Sequence, residues 1–201
     1  MTAQTDLGLR MSKFKLVFIF LLPIILLQAC ATAVVTGAAT GASLAHDRRT
    51  AGSVIDDQGI EFKASYAIFN NKEIYQQSHI NVTSYNGTVL ITGETLTEQL
   101  KQKVYDLVRV IPKVRTIHNE LIIAAPSALP SRSSDAWITS KVKAKITADK
   151  HLDPFYIKVV TEHGTVYLMG IVGRSEADLA VRIVSNSAGV QRVVKIFEYL
   201  N

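Results

Sequence analysis

The chain has one cysteine and one tryptophan among 201 residues. A single cysteine excludes an internal disulfide framework. Five prolines and eleven glycines exclude a collagen-like or linker-like composition, and 48% hydrophobic residues excludes wholesale disorder. The chain also lacks a converging catalytic set. Its histidines, His46, His79, His118, His151 and His163, are scattered, and none has a second histidine or carboxylate at the spacing of a metal site. Glu162 and His163 are neighbours, and alternation along a strand is expected to point them to opposite sides. There is no nucleophile elbow and no phosphate loop. The expectation is a protein that is not an enzyme and uses no cofactor or metal. Nucleic acid is not an expected partner either, since no basic groove is interleaved with aromatics.

What charge there is has a place. The total is +5. Residues 1–29 carry three basic and one acidic side chain, residues 30–130 nine of each, and residues 131–201 ten basic and seven acidic. The excess in the last third suits an anionic surface.

The prominent apolar run, Leu16–Leu27, has twelve residues, short of the about 20 that span a bilayer. Met11 precedes it with Lys13 and Lys15, which makes residues 1–29 a signal peptide whose cleaner start is Met11. The run ends in Leu27-Gln28-Ala29-Cys30, which resembles the bacterial lipobox. The resemblance implies that Cys30 is lipidated, with a diacylglyceryl thioether and an N-acyl chain. Ala31, where an Asp would signal inner-membrane retention, implies the outer membrane. Ordinary cleavage after Ala31-Thr32-Ala33 is the alternative. Residues 31–46, rich in Ala, Thr, Gly and Val, read as a tether.

The rest of the chain repeats itself once. "SYNGTVLITG" (84–93) and "TEHGTVYLMG" (161–170) align at an offset of 77, each centred on a hairpin signal, Asn86-Gly87 or His163-Gly164. Alternating apolar residues flank both turns: Ile80, Val82, Val89 and Ile91, then Ile157, Val159, Val166 and Leu168. A helix is expected after each hairpin, through Leu96, Leu100, Val104, Leu107 and Val108 in the first and Leu179, Ile183 and Val184 in the second. A further strand follows each. A helix also precedes each hairpin: 54–69, with Ile55, Phe62, Tyr66 and Phe69 as its apolar set, and 135–148. The fold class is α+β, two αββαβ units in tandem. The first unit spans 47–124, the Pro- and Ser-rich stretch 125–134 is the linker, and the second unit spans 135–201.

This arrangement resembles the BON domain of bacterial envelope proteins. The resemblance is carried by the glycine-centred hairpins, by Gly93 and Gly170, and by second helices running into Val114 and Ala188-Gly189-Val190. With the lipobox, the chain resembles the dual BON-domain outer-membrane lipoprotein family, DolP or YraP. "INVTSYNGTVLITG", "DAWITSKVKAKI" and "VYLMGIVGRSEAD" are close to that family's pattern. Ile111-Pro112-Lys113 departs from it, standing where a glycine is common. The family implies anchorage facing the periplasm and contact of the second domain's first helix with anionic phospholipid. It also implies links to outer-membrane protein assembly, cell-wall remodelling at division and envelope integrity.

That helix carries the lone tryptophan. Ser134 or Asp135 can cap its start. At about 100° per residue, Ile138, Val142 and Ile146 share the core face, while Trp137 falls in an outer stripe with Lys141, Ala144, Lys145 and Ala148. Lys141, Lys143 and Lys145 alone would be a solvated face. Tryptophan prefers the lipid interface, a lysine beside it can reach phosphates, and small alanines let a headgroup layer approach. Trp137, Lys141, Ala144, Lys145 and Ala148 are therefore the expected phospholipid-binding residues; the bland alternative is that Trp137 packs against the first domain or caps the second domain's sheet. A protein-interaction scaffold without lipid reading is the rival function.

Overall fold

The computed structural model describes residues 47–200. The expected signal peptide, Cys30 and the tether to residue 46 lie outside the described residues.

Two units follow one another with the same plan. In the first, α1 (Ala51–Asn70) and a short α2 (Lys72–Gln77) lead into the hairpin β1 (Ser78–Tyr85) and β2 (Thr88–Thr95), then α3 (Glu98–Arg109), β3 (Thr116–Asn119) and β4 (Ile122–Ile123). In the second, α4 (Leu129–Ala148) and a single 3-10 turn (Pro154–Tyr156) lead into β5 (Ile157–Glu162), β6 (Thr165–Val172), α5 (Arg174–Ser185) and β7 (Arg192–Tyr199). In each sheet the middle strand pairs antiparallel with the strand before it and parallel with the one after its crossover helix, in the orders β1-β2-β3 and β5-β6-β7. The hairpin turns carry positive φ at Asn86 (51°) and Gly87 (75°), and at His163 (50°) and Gly164 (68°), as a two-residue type I′ turn demands. After α5, Gly189 takes a left-handed φ of 93°; in the first unit Lys113 takes the corresponding position at 75°.

Alternation gives each sheet two apolar faces. Val89 and Ile91 join Ile60, Ala64 and Ile68 of α1 and Leu100, Val104 and Val108 of α3 in one core. Val166 and Leu168 join Ile138, Val142 and Ile146 of α4 and Ala177, Ala180 and Val184 of α5 in another. Side chains from the opposite faces, Tyr85 and Leu90 with Tyr167, Met169 and Ile196, form a third. The two sheets therefore pack against each other on the faces their own helices leave bare. The layers run helix, sheet, sheet, helix.

A polar rim surrounds the central layer. Lys158 of β5 bonds Glu61 of α1 at 2.7 Å, Arg115 bonds Glu198 at 3.0 Å, and Asn81 donates to Glu162 at 3.0 Å. Arg48, ahead of α1, reaches across to α5. Its guanidinium makes a bidentate pair with Glu176 (2.6 and 2.8 Å) and stacks on Tyr156 at 3.7 Å. That hydrogen-bonded pair holds the Glu176 carboxyl below its usual range.

Burial and the nearby Asp47 carboxylate push the Tyr85 phenol up to about 12, against the opposing guanidinium of Arg49 that stacks on its ring at 4.0 Å. A raised folded value contributes stability that is whole below the ordinary 10.0 and is lost as pH climbs towards about 12. Phenolate absorbance should show one late proton leaving near that pH, and Tyr85→Phe should remove that step. Loss of a late step in the wild type, or its survival in the variant, would refute the assignment.

The structure corrects three expectations. First, α1 uses Ile60, Ala64 and Ile68 as its core face, and Ile55, Phe62, Tyr66 and Phe69 stand 60–71% exposed on the other side. Phe62 and Tyr66 stack there at 6.3 Å, and Phe69 meets Tyr75 edge-on at 4.9 Å. Second, Leu96 is exposed and precedes α3, which begins at Glu98 with Thr97 as its N-cap. Third, the stretch taken as a linker ends early. Residues 129–134 belong to α4, whose start is set by Pro130 within its first turn, with Ala128 at the cap position. Ser134 and Asp135 therefore do not cap that helix.

Candidate functional site

Ile138, Val142 and Ile146 fix the rotation of α4 by entering the core, each burial worth about 1.5–3 kcal/mol. That rotation sends the opposite stripe outward. Trp137 is 66% exposed, Ala144, Lys145 and Ala148 are exposed, and Lys141 is half-buried. The five expected residues do share one outer face, and Trp137 is not packed away against the first unit.

The lysines have a structural duty that the sequence pattern did not disclose. Lys141 Nζ donates to the Ala188 carbonyl at 2.6 Å and Lys145 Nζ to the Asn186 carbonyl at 2.8 Å. Those carbonyls follow the C-terminus of α5, where the helix dipole leaves partial negative charge. The two ammoniums thus tie α4 to α5. Each has three donors, and both remain at the surface. Lys141 Nζ also sits 5.8 Å from the Trp137 ring centroid.

Beside Trp137 lies a concavity of about 490 Å³, lined in part by Ser134, Asp135, Lys141, Gly164 and Gly189. Its floor is Asp135, which is buried and accepts from the His163 amide at 3.0 Å and the Gly164 amide at 2.8 Å. Asp57 holds the first hairpin in the same way. It accepts from the Asn86 and Gly87 amides (2.7 and 2.8 Å) and from the Ser84 hydroxyl (2.6 Å), and it pairs with Arg49 at 2.8 Å. Burial would raise the Asp57 carboxyl, but these donors outweigh it and hold the carboxyl below its ordinary range. The sequence offered Asp135 only as a helix cap and did not single out Asp57. The signal was there: Asp57, Ile60, Ala64 and Ile68 map onto Asp135, Ile138, Val142 and Ile146 at a constant offset of 78.

That offset also separates the two units functionally. Trp137, Lys141, Ala144, Lys145 and Ala148 correspond to Gly59, Lys63, Tyr66, Ala67 and Asn70. The tryptophan belongs to the second unit alone, and the first presents its aromatic row instead.

One expectation about the histidines fails. His163 follows the end of β5 and takes a left-handed φ, so alternation does not apply to it, and its ring comes together with Glu162 and with Glu94 of the first unit.

The BON domain matches residues 56–125 and again 134–201. The "Outer membrane lipoprotein DolP" of Haemophilus influenzae is 36% identical, covering 95% of this chain and 99% of that protein. The "21 kDa hemolysin" of Actinobacillus pleuropneumoniae is 31% identical over 77% of this chain and 79% of its own length. The "Osmotically-inducible protein Y" of Escherichia coli is 24% identical over 79% and 80%.

Proposed function

The chain belongs to the BON-domain family, in its dual-domain branch with DolP, and from that premise we propose that it is an outer-membrane lipoprotein, anchored through acylated Cys30 and facing the periplasm, whose α4 binds anionic phospholipid in support of envelope integrity. The observation that carries the lipid reading is Trp137, two-thirds exposed on the outer face of a helix that is otherwise firmly seated. A large indole held in water, flanked by two cations and small residues, matches the headgroup zone, where its ring is shielded and its N–H stays hydrogen-bonded. Near an anionic surface each lysine adds on the order of 1 kcal/mol. The contact is weak and reversible, which suits a protein whose anchor already keeps it close to the bilayer.

Vesicle co-sedimentation of unlipidated residues 31–201 tests this. Phosphatidylglycerol or cardiolipin vesicles should pellet the protein at low salt and release it at high salt, and phosphatidylethanolamine vesicles should not pellet it. Trp137→Ala, a surface change expected to shift stability by no more than about 0.5 kcal/mol, should abolish pelleting. Equal binding by the variant, or binding to neither vesicle, would sink the lipid reading.

The second reading is a periplasmic scaffold for proteins of outer-membrane assembly or cell-wall remodelling. The exposed row Ile55, Phe62, Tyr66 and Phe69 favours it, since a helix apolar on both faces is ordinarily covered on both. Substitutions there that abolish function while lipid binding survives would put this reading first.

A further inference from the structure

We infer that Glu94, Glu162 and His163 form a binding site for a divalent transition-metal ion of the zinc type, which clips the two BON domains together. One ligand atom from each lies within 4.8 Å of the others. Glu162 and His163 are neighbours at the second hairpin, and Glu94, 69 residues before His163, meets them only because the sheets pack face to face. Leu90 of β2 and Val160 of β5 point into the layer between the sheets. With a side-chain period of two, Glu94 and Glu162 point the same way.

The burial of this set is unusual. Glu94 is fully buried and Glu162 is 7% exposed. Two carboxylates so placed need compensating positive charge, and among the described residues the side chain that meets Glu94 Oε1 is the His163 imidazole, through Nε2. A divalent cation would neutralise the pair. Neutral donors already hold the other side of each carboxylate. The Ser127 amide donates to Glu94 Oε2 at 3.2 Å, and Asn81 Nδ2 donates to Glu162 Oε2 at 3.0 Å. Outer partners of this kind orient ligating oxygens. One imidazole nitrogen and two carboxylate oxygens suit zinc, with water completing a tetrahedron. Calcium requires six to eight oxygens, and magnesium a strict octahedron. His79 is a further imidazole linked to the set, since its Nε2 contacts Asn81 Nδ2, the donor to Glu162, at 3.5 Å.

The test is calorimetric titration of the full chain in detergent with zinc chloride, against magnesium and calcium chloride, alongside the visible spectrum of the cobalt(II) form. Saturable uptake of one zinc per chain is expected, with a melting temperature that rises with zinc concentration and a cobalt spectrum of low-coordinate nitrogen and oxygen ligation. His163→Asn suits the position because asparagine tolerates positive φ and the side chain is 38% exposed. It and Glu162→Gln should each weaken zinc binding about tenfold or more, in protein that still melts cooperatively without metal. Binding no tighter than magnesium, or binding unchanged in both variants, would overturn the site. Loss of binding in His79→Asn with retention in His163→Asn would overturn it too.

Discussion

Gly93→Ala is expected to unfold the first domain or to destabilise it by about 4 kcal/mol or more, at the exceptional end for one methyl group. Gly93 lies opposite Ile80 in the β1–β2 ladder with φ of 114°. A Cβ there would stand 1.9 Å from the His79 carbonyl oxygen and 2.9 Å from its carbon. Both are backbone atoms of the paired strand, so no rotamer relieves the contact. Strain at a positive φ adds about 1–3 kcal/mol, and the ladder must also part. Against a typical total of 5–15 kcal/mol, little of the first domain's stability would remain. Gly59→Ala is the control. Its Cβ meets nothing within 4 Å on the outer face of α1, so a gain of about 0.5–1 kcal/mol is expected from helix propensity. Urea denaturation of the two variants measures both. A near-neutral Gly93→Ala would mean that the strands sit further apart than described.

The second large effect is expected at Asp57. Asp57→Ala should cost about 3–5 kcal/mol, the usual range for removing one partner of a buried ionic network. Arg49, the Ser84 hydroxyl and the Asn86 and Gly87 amides all lose an acceptor. The equivalent Asp135→Ala, which strands the His163 and Gly164 amides, should cost less, about 2 kcal/mol. The pH dependence has a definite sign. A carboxyl lowered from 3.8 contributes stability that is whole above that value and is lost as pH falls through the folded value. The wild type should therefore lose stability in acid more steeply than Asp57→Asn, which no longer has the carboxylate. Parallel acid profiles would show that Asp57 is not a principal acid-labile contact.

The order of elements was legible in the sequence because its signals are local. Asn-Gly and His-Gly mark the turns, period-two runs flank them, and the offset of 77 exposes the duplication. The rotation of α1 was not legible. Ile55, Phe62, Tyr66 and Phe69 keep helical spacing as well as Ile60, Ala64 and Ile68 do, and periodicity cannot choose between two apolar faces. Only the second domain, with a polar outer face on α4, would have settled the choice. At the site, the exposure of Trp137 was legible from its phase against Ile138, Val142 and Ile146. The carbonyl contacts of Lys141 and Lys145 were not, since they depend on where α5 ends, 47 and 41 residues further along the chain respectively. The roles of Asp57 and Asp135 were not legible for the same reason: each lies inside its helix and bonds a turn 28–30 residues on. Glu94 with His163 depends on the packing of one sheet upon the other, and no periodicity within either carries that information.

The four-layer stacking also makes the protein two-faced. With the sheets back to back, α1 and α4 are outermost on opposite sides, so no flat surface can touch both. A bilayer lying against Trp137 leaves the row of Ile55, Phe62, Tyr66 and Phe69 turned towards the aqueous space behind. The molecule can be pressed to lipid on one side while its other side stays presented to whatever diffuses past, with the Arg48–Glu176 clasp and the central apolar layer keeping the two faces at a fixed separation.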